Sequence, residues 1–316
     1  MPIVVAPSTA PTPPGSVPPV VWTTEPVGSI QAIWIDPDGV EWPLTGPHER
    51  FGWLTRSGPG GWGANPVTIV TDPLARGGIS VRHQRNEPRR MTWPLHIYAD
   101  THVEFVDRYR RLMRAITATK YRGAGFLRVI RPNGTAREIE CLYEDGFGGH
   151  PGENHLYANP TVQLLCPDGF WRDVERQLVT QEYVAAGDPY LDPYPTVTSG
   201  RVLGDSTILN SGDVDTWPSW TLTGPALRLS ATNVTSGQGF ALTHTLAAGQ
   251  QATITITPDR ALVRGPAGQN LVGSLDWPGA DLWALLPGVN EVNVTVDGAA
   301  PGTRVQMWFY RRYEAA

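Results

Sequence analysis

The chain has two cysteines, Cys141 and Cys166, and the second stands in residues 163–173, QLLCPDGFWRD, just ahead of an aspartate and two aromatics. A thiol beside a carboxylate suggests a redox or metal-binding cysteine, or Asp168 as a general acid. A reactive thiolate needs its pKa lowered by a cation, a helix N-terminus or a metal. The residues around Cys166 supply none of these, and Pro167 follows directly. Two cysteines make neither a disulfide framework nor a four-ligand zinc site. A cysteine at an inward strand position is an ordinary core residue, so Cys166 is expected to be inert. A bond to Cys141 is geometrically open if the strands are neighbours, although synthesis in a reducing cytoplasm argues against it.

The loop GFGGHPGENH (146–155) carries His150, Glu153 and His155. No third or fourth ligand at metal spacing accompanies the two histidines. His48, His83, His96, His102 and His244 are scattered singly and are expected to be packed or solvated. Asp276, Asp281 and Glu291 lie near Trp277 and Trp283, which makes the two tryptophans candidate glycan contacts. Hydrolysis of a glycoside needs a carboxylate pair set across a cleft, and no spacing here singles out an acid and a base. There is no phosphate loop, no Gly-x-Ser-x-Gly elbow and no His-Glu-x-x-His. The expectation is a protein without catalytic residues, metal or cofactor.

The elements that would hold these residues are mostly strands. Glycine (34) and proline (30) are abundant and charged residues make up only 17% of the 316 positions, a composition of short strands and turns. One segment is helical, within THVEFVDRYRRLMRAITATKY. Thr101 and Glu104 form a capping box, and Phe105, Tyr109, Leu112 and Ile116 fall on one face. Glu104–Arg108 and Asp107–Arg111 are spaced as i,i+4 pairs. Arg108, Arg110, Arg111 and Arg114 make a basic side interleaved with Glu104 and Asp107, the pattern of a solvated or protein-facing surface. The net charge of −5 gives no nucleic-acid footprint. Lys120 is the only lysine. GC-rich coding accounts for that, and selection for bidentate interface contacts is the functional alternative.

Around the helix, Asp36-Pro-Asp-Gly39 and Asn133-Gly134 read as turns. Ile79/Val81 and Met91/Trp93/Leu95/Ile97 read as two strands, each with one buried face. Ile139, Cys141 and Tyr143 share a face of another strand, as do Val162, Leu164 and Cys166. Residues 1–27 are too proline-rich to build a core and are expected to form an extended arm. A β domain spans 28–184 with its helix at 101–120, a linker spans 185–200, and regularly spaced alternating strands at 201–316 predict an antiparallel sandwich. No charged n-region followed by an apolar core opens the chain, and no apolar run approaches the ~20 residues of a membrane helix. A soluble product made in a cytoplasm, with no membrane contact, is expected.

Five segments in order carry a resemblance to a known family. VQLLCPDGFW (162–171) follows the strand REIECLYEDG (137–146), LNSGDVDTWPSWTLTGPA occupies 209–226, and LLPGVNEVNVTV (285–296) precedes VQMWFYRRY (305–313). Together these resemble the distal tail proteins of long, non-contractile-tailed bacteriophages, with Gly169 where that family usually has proline. The resemblance implies a mainly β, two-domain fold: an N-terminal sandwich-like domain with one helix and a C-terminal galectin-like (jelly-roll) sandwich. It implies a virion structural protein at the tail tip, forming a hexameric ring that joins the tail tube to the baseplate hub. Tail tube, tape measure, hub-associated and receptor-binding proteins are the implied partners, with genome DNA passing through the ring and no sequence-specific nucleic-acid binding. The ring contacts are expected from first-domain strands and the arginine-bearing helix. The alternative is a carbohydrate-binding adhesin contacting host cell-wall glycan through the second domain, with or without ring duty.

Overall fold

The structure, a computed structural model, describes residues 30–45, 52–148, 156–183, 204–257 and 260–316. The expected arm (1–27), linker (185–200), His48, His150, Glu153 and His155 lie outside the described residues.

The chain is mainly β with one long helix. In the first assembly the sheet runs, in order, Glu41–Pro43, Gln31–Ile35, Gly125–Ile130, Ala136–Asp145, Thr161–Cys166, Arg89–Tyr98 and Trp53–Thr55. The turn at 131–135 is the one Asn133-Gly134 predicts. Gly134 takes φ +83, and the Asn133 side chain accepts from the Thr135 amide at 3.0 Å. In Arg89–Tyr98 alternate residues are buried, which puts Met91, Trp93, Leu95 and Ile97 into one core with Trp34, Leu127, Cys141, Leu164 and Cys166. Period-two alternation against a single buried face produces that pattern.

Helix α1 (His102–Thr117) covers this core with Phe105, Tyr109, Leu112, Ala115 and Ile116. The Thr101 hydroxyl accepts from the Glu104 amide at 3.3 Å, so the threonine half of the capping box forms. Glu104 instead turns its carboxylate to Arg108. Trp34 Nε1 donates to the Ala115 carbonyl at 3.1 Å, tying the helix to a central strand.

The second assembly is a sandwich of two antiparallel sheets. One is ordered Gln177–Glu182, Arg304–Phe309, Ser219–Thr223, Gln251–Ile256, Ala261–Arg264, and the other Asp205–Asn210, Gly288–Asp297, Ala226–Asn233, Gln238–Leu246. Trp220, Phe240 and Trp283 fill its centre, with Trp220 and Trp283 edge to face at 5.4 Å. Asn210, Asn233 and Asn290 are fully buried. A buried amide must both donate and accept, and these do so to loop backbone. Asn210 donates to the carbonyls of Val214 and Leu285 and accepts from the Gly212 amide. Asn290 donates to Leu286 O and accepts from Leu286 N. The Asn-x-Gly-Asp turn and the Leu-Leu-Pro-Gly turn are therefore bound to one another.

Sheet membership changes before the expected linker. Gln177–Glu182 already pairs with Arg304–Phe309 in the second sandwich, and Arg312–Tyr313 returns to pair with Trp171–Asp173 of the first sheet. Hydrogen-bond partners far along the chain, rather than the composition break at 185, decide where each segment belongs.

Arg89 fastens that return. It occupies an inward position of its strand and is 1% exposed. Its Nε donates to Gly169 O, Nη1 to Gly61 O and to Gly63 O, and Nη2 to Glu314 O. Burial pulls its pKa below the usual arginine range, and the four carbonyls offset the desolvation of the charge. Replacing Arg89 by Met strips all of these carbonyls of their donor. The R89M variant is expected to lose at least about 3 kcal/mol of stability, read as a lower midpoint in urea unfolding, with R89K intermediate.

Candidate functional site

The segment around Cys166 proves to be a strand end. Cys166 closes Thr161–Cys166, Pro167 has no amide to continue the ladder, and Gly169 takes φ +76 beneath Arg89. Phe170 and Trp171 are buried, and Trp171 stacks on Trp62 at 6.1 Å. Asp168 is ion-paired with Arg312. The Cys141 and Cys166 sulfurs touch at 3.1 Å, both fully buried. Burial, and contact with the other sulfur, push the Cys141 thiol well above the ordinary cysteine range. Among the described residues no cluster able to hold a metal is present.

The remaining candidates separate in space. Arg108 leaves the basic side of α1: its Nη1 donates to Tyr98 O at 2.7 Å and its Nη2 pairs with Glu104. Arg110, Arg111 and Arg114 stay exposed, and none of their guanidinium groups pairs with another described residue. The expected Asp107–Arg111 pair does not form. These three arginines line a groove of about 610 Å³ with Asp36, Asp38, Trp42, Tyr121 and Arg122, and Tyr121 is 88% exposed at its side.

The two candidate glycan contacts also part company. Trp277 is 55% exposed, with its Nε1 donating to Val272 O at 3.0 Å. Trp283 is 1% exposed and donates to Ala231 O at 3.1 Å, so it offers no face to a sugar. Period-two spacing cannot distinguish a core tryptophan from a surface one when it lies in a loop. Asp276 pairs with Arg228 and Glu291 accepts from Thr207, so no acid–base pair is assembled.

A surface that the sequence pattern misassigns is the ribbon Val67–Pro73 with Ile79–Asn86, which pairs with no other strand among the described residues. Directly opposed residues share a face. Val67, Ile69, Thr71 and Pro73 lie with Asn86, Gln84, Val81 and Ile79, and this face has no charge. On the other face Arg82 is paired with Asp72 at 2.7 Å, while Arg85 pairs with Glu87 at 2.9 Å. Ile79 and Val81 are thus not buried as their alternation predicts: they are 64% and 57% exposed. Alternation reports an apolar face, and nothing in the described chain covers this one.

The fold can be placed among known structures. The Dit (gp 19.1) protein of phage SPP1, described as a hub of the adsorption apparatus in phages infecting Gram-positive bacteria, matches with a TM-score of 0.62 at 11% identity. That match covers 90% of this chain and 99% of the other. A chain of the phage P2 baseplate in its activated, calcium-bound conformation matches with a TM-score of 0.56 at 10% identity, covering 92% of this chain and 100% of its own. The strontium-bound form gives 0.55 at 10% identity. The two-domain, mainly β fold expected from the sequence motifs is the fold these proteins share. No protein-family model matches the chain, nor does the sequence of any curated protein.

The different settings of the two tryptophans give a direct check. Trp283→Ala removes a buried side chain and its hydrogen bond and is expected to cost about 3–5 kcal/mol. Trp277→Ala is expected to stay within about 1 kcal/mol of the parent, both measured by denaturant unfolding of the full chain.

Proposed function

We propose that this chain is a structural protein of a phage tail, assembling as a hexameric ring at the distal end and joining the tail tube to the baseplate hub and host-recognition proteins. The observation that carries this reading is the likeness in fold to SPP1 Dit, which covers 90% of this chain and 99% of that protein. The six-fold count and the named neighbours (tail tube, tape measure, hub and receptor-binding proteins) come from the family resemblance. What this chain adds is a pair of unlike surfaces.

A closed ring is built from heterologous contacts, in which one patch meets a different patch on the next subunit. The uncharged face of the ribbon is one such patch, because an exposed apolar strand face is a liability unless something covers it. The groove lined by Arg110, Arg111 and Arg114 is the second, suited by its unpaired guanidinium groups to carboxylates on a neighbouring protein. Residues 1–27, with a composition that favours extended backbone, would reach an adjacent subunit or tube ring.

Native mass spectrometry with negative-stain imaging tests this. The full chain is expected to run as six copies with an open centre. Ile79→Asp with Val81→Asp should reduce it to single copies without lowering the thermal midpoint, because neither side chain is buried within the subunit. Arg111→Glu with Arg114→Glu should weaken assembly in a salt-dependent way. A wild-type chain that stays single both alone and with tube and hub proteins overturns the ring.

A further inference from the structure

Cys141 and Cys166 are more than adjacent. The ladder between their strands sets Leu164 opposite Tyr143 and Leu165 opposite Leu142, which carries Cys166 to the position facing Cys141. Directly opposed residues of an antiparallel pair hold their Cβ atoms roughly 4.5–5.5 Å apart, close to the separation of about 3.5–4.5 Å that a disulfide spans. The sulfurs are 3.1 Å apart, so about 1 Å of closure remains to the bond length of ~2.0 Å. Arg89 stands opposite Cys166 on its other neighbouring strand. Burial pushes the Cys141 thiol up and makes reaction slow, not absent, because strands open locally.

We propose that Cys141 and Cys166 are a covalent modification site, a dithiol that a small peroxide closes to an intramolecular disulfide. One thiolate attacks an oxygen of hydrogen peroxide, the O–O bond breaks, and the sulfur becomes a sulfenic acid as hydroxide leaves and is protonated to water. The second thiol attacks that sulfur, the S–O bond breaks, and a second water departs with its proton. Two thiols are oxidised by two electrons in all and one peroxide is reduced to two waters. A peroxide suits a site with no exposed sulfur, where a bulky disulfide reagent would have to pass through a mixed disulfide within the core. The product would staple the Ala136–Asp145 strand to Thr161–Cys166 across 25 residues of chain. The inference holds whether or not the chain forms a ring.

The test uses the full chain purified with a reductant, then divided. One half is treated with hydrogen peroxide, the peroxide is removed, and both halves are denatured at neutral pH in guanidinium containing N-ethylmaleimide and weighed intact. The reduced half is expected to take up two labels. The oxidised half should take up none, weigh two hydrogens less than the unlabelled reduced chain, and yield a peptide pair joined through Cys141 and Cys166. Its thermal midpoint before denaturation should rise by about 5 °C. Cys166→Ser should abolish the difference between treated and untreated halves; because that variant can itself fold less well, the wild-type comparison decides. Two labels after peroxide, or sulfinic acid at either sulfur without a cross-link, overturns the site. A cross-link with an unraised midpoint overturns the stapling role.

Discussion

The buried guanidinium of Arg89 is the interaction that fastens the returning C-terminal segment to the first sheet. An arginine at 1% exposure is tolerable only if its donors are all used in good geometry, since an unpaired buried charge is strongly destabilising. Here the donors reach the glycine-rich loop at 61–63, the turn at Gly169 and the last residues at Glu314. The root of the ribbon is held at the same place. The Asn65 backbone amide donates to the Glu314 carboxylate at 2.8 Å, and the Asn65 side chain donates to Glu87 O at 3.0 Å. Arg89 and Asn65 together fix the loop from which the ribbon leaves and the segment at Glu314.

Arginine carries the rest of the junction. Arg172 forks onto the buried Glu138 and lies over the rings of Phe126 and Tyr310 at 4.6 and 4.5 Å. Arg312 pairs with Asp168 and sits over Phe170 and Trp217. Arg137 covers Tyr313 at 3.6 Å and donates to Ala315 O. Each uses the planar fork and the flat face together, which an ammonium cannot do. Whatever the coding bias, the arginines at this junction perform work specific to arginine. It is intramolecular work, whereas the guanidinium groups of Arg110, Arg111 and Arg114 beside α1 have no such partner among the described residues.

That division bears on the ring proposed above. The surfaces that meet neighbours need to be presented rigidly, because ordering them on contact would subtract from the binding free energy. The charged face of the ribbon, with Arg82 on Asp72, keeps one side soluble while the other side remains apolar. The buried asparagines of the second sandwich serve a similar end, converting turns into fixed supports. Asp213, next to the turn that Asn210 holds, accepts from the Glu314 amide at 3.1 Å, so the second sandwich helps keep the C-terminal segment on the first.

Local structure was legible in the residues wherever period and burial coincide. The long helix with its inward Phe105, Tyr109, Leu112 and Ile116 was legible, as were the Asn133-Gly134 turn and the strand 161–166 with its terminating Pro167. So was the two-domain β organisation, through motifs whose asparagines turn out to be buried loop ties. The tertiary structure alone decided which apolar face is covered and which polar side chain is partnered. Ile79 and Val81 alternate like core residues and stand in solvent, while Trp283 lies in a loop and fills a core. Arg108 belongs to the same basic side as Arg110, Arg111 and Arg114 yet turns to Tyr98. Cys141 and Cys166 meet, and Arg312–Tyr313 crosses to the first sheet. The reason is common to all of these. Alternation and composition describe a residue's own preference, whereas burial, ion pairing and strand membership depend on partners tens to hundreds of residues away, whose arrival no local pattern records.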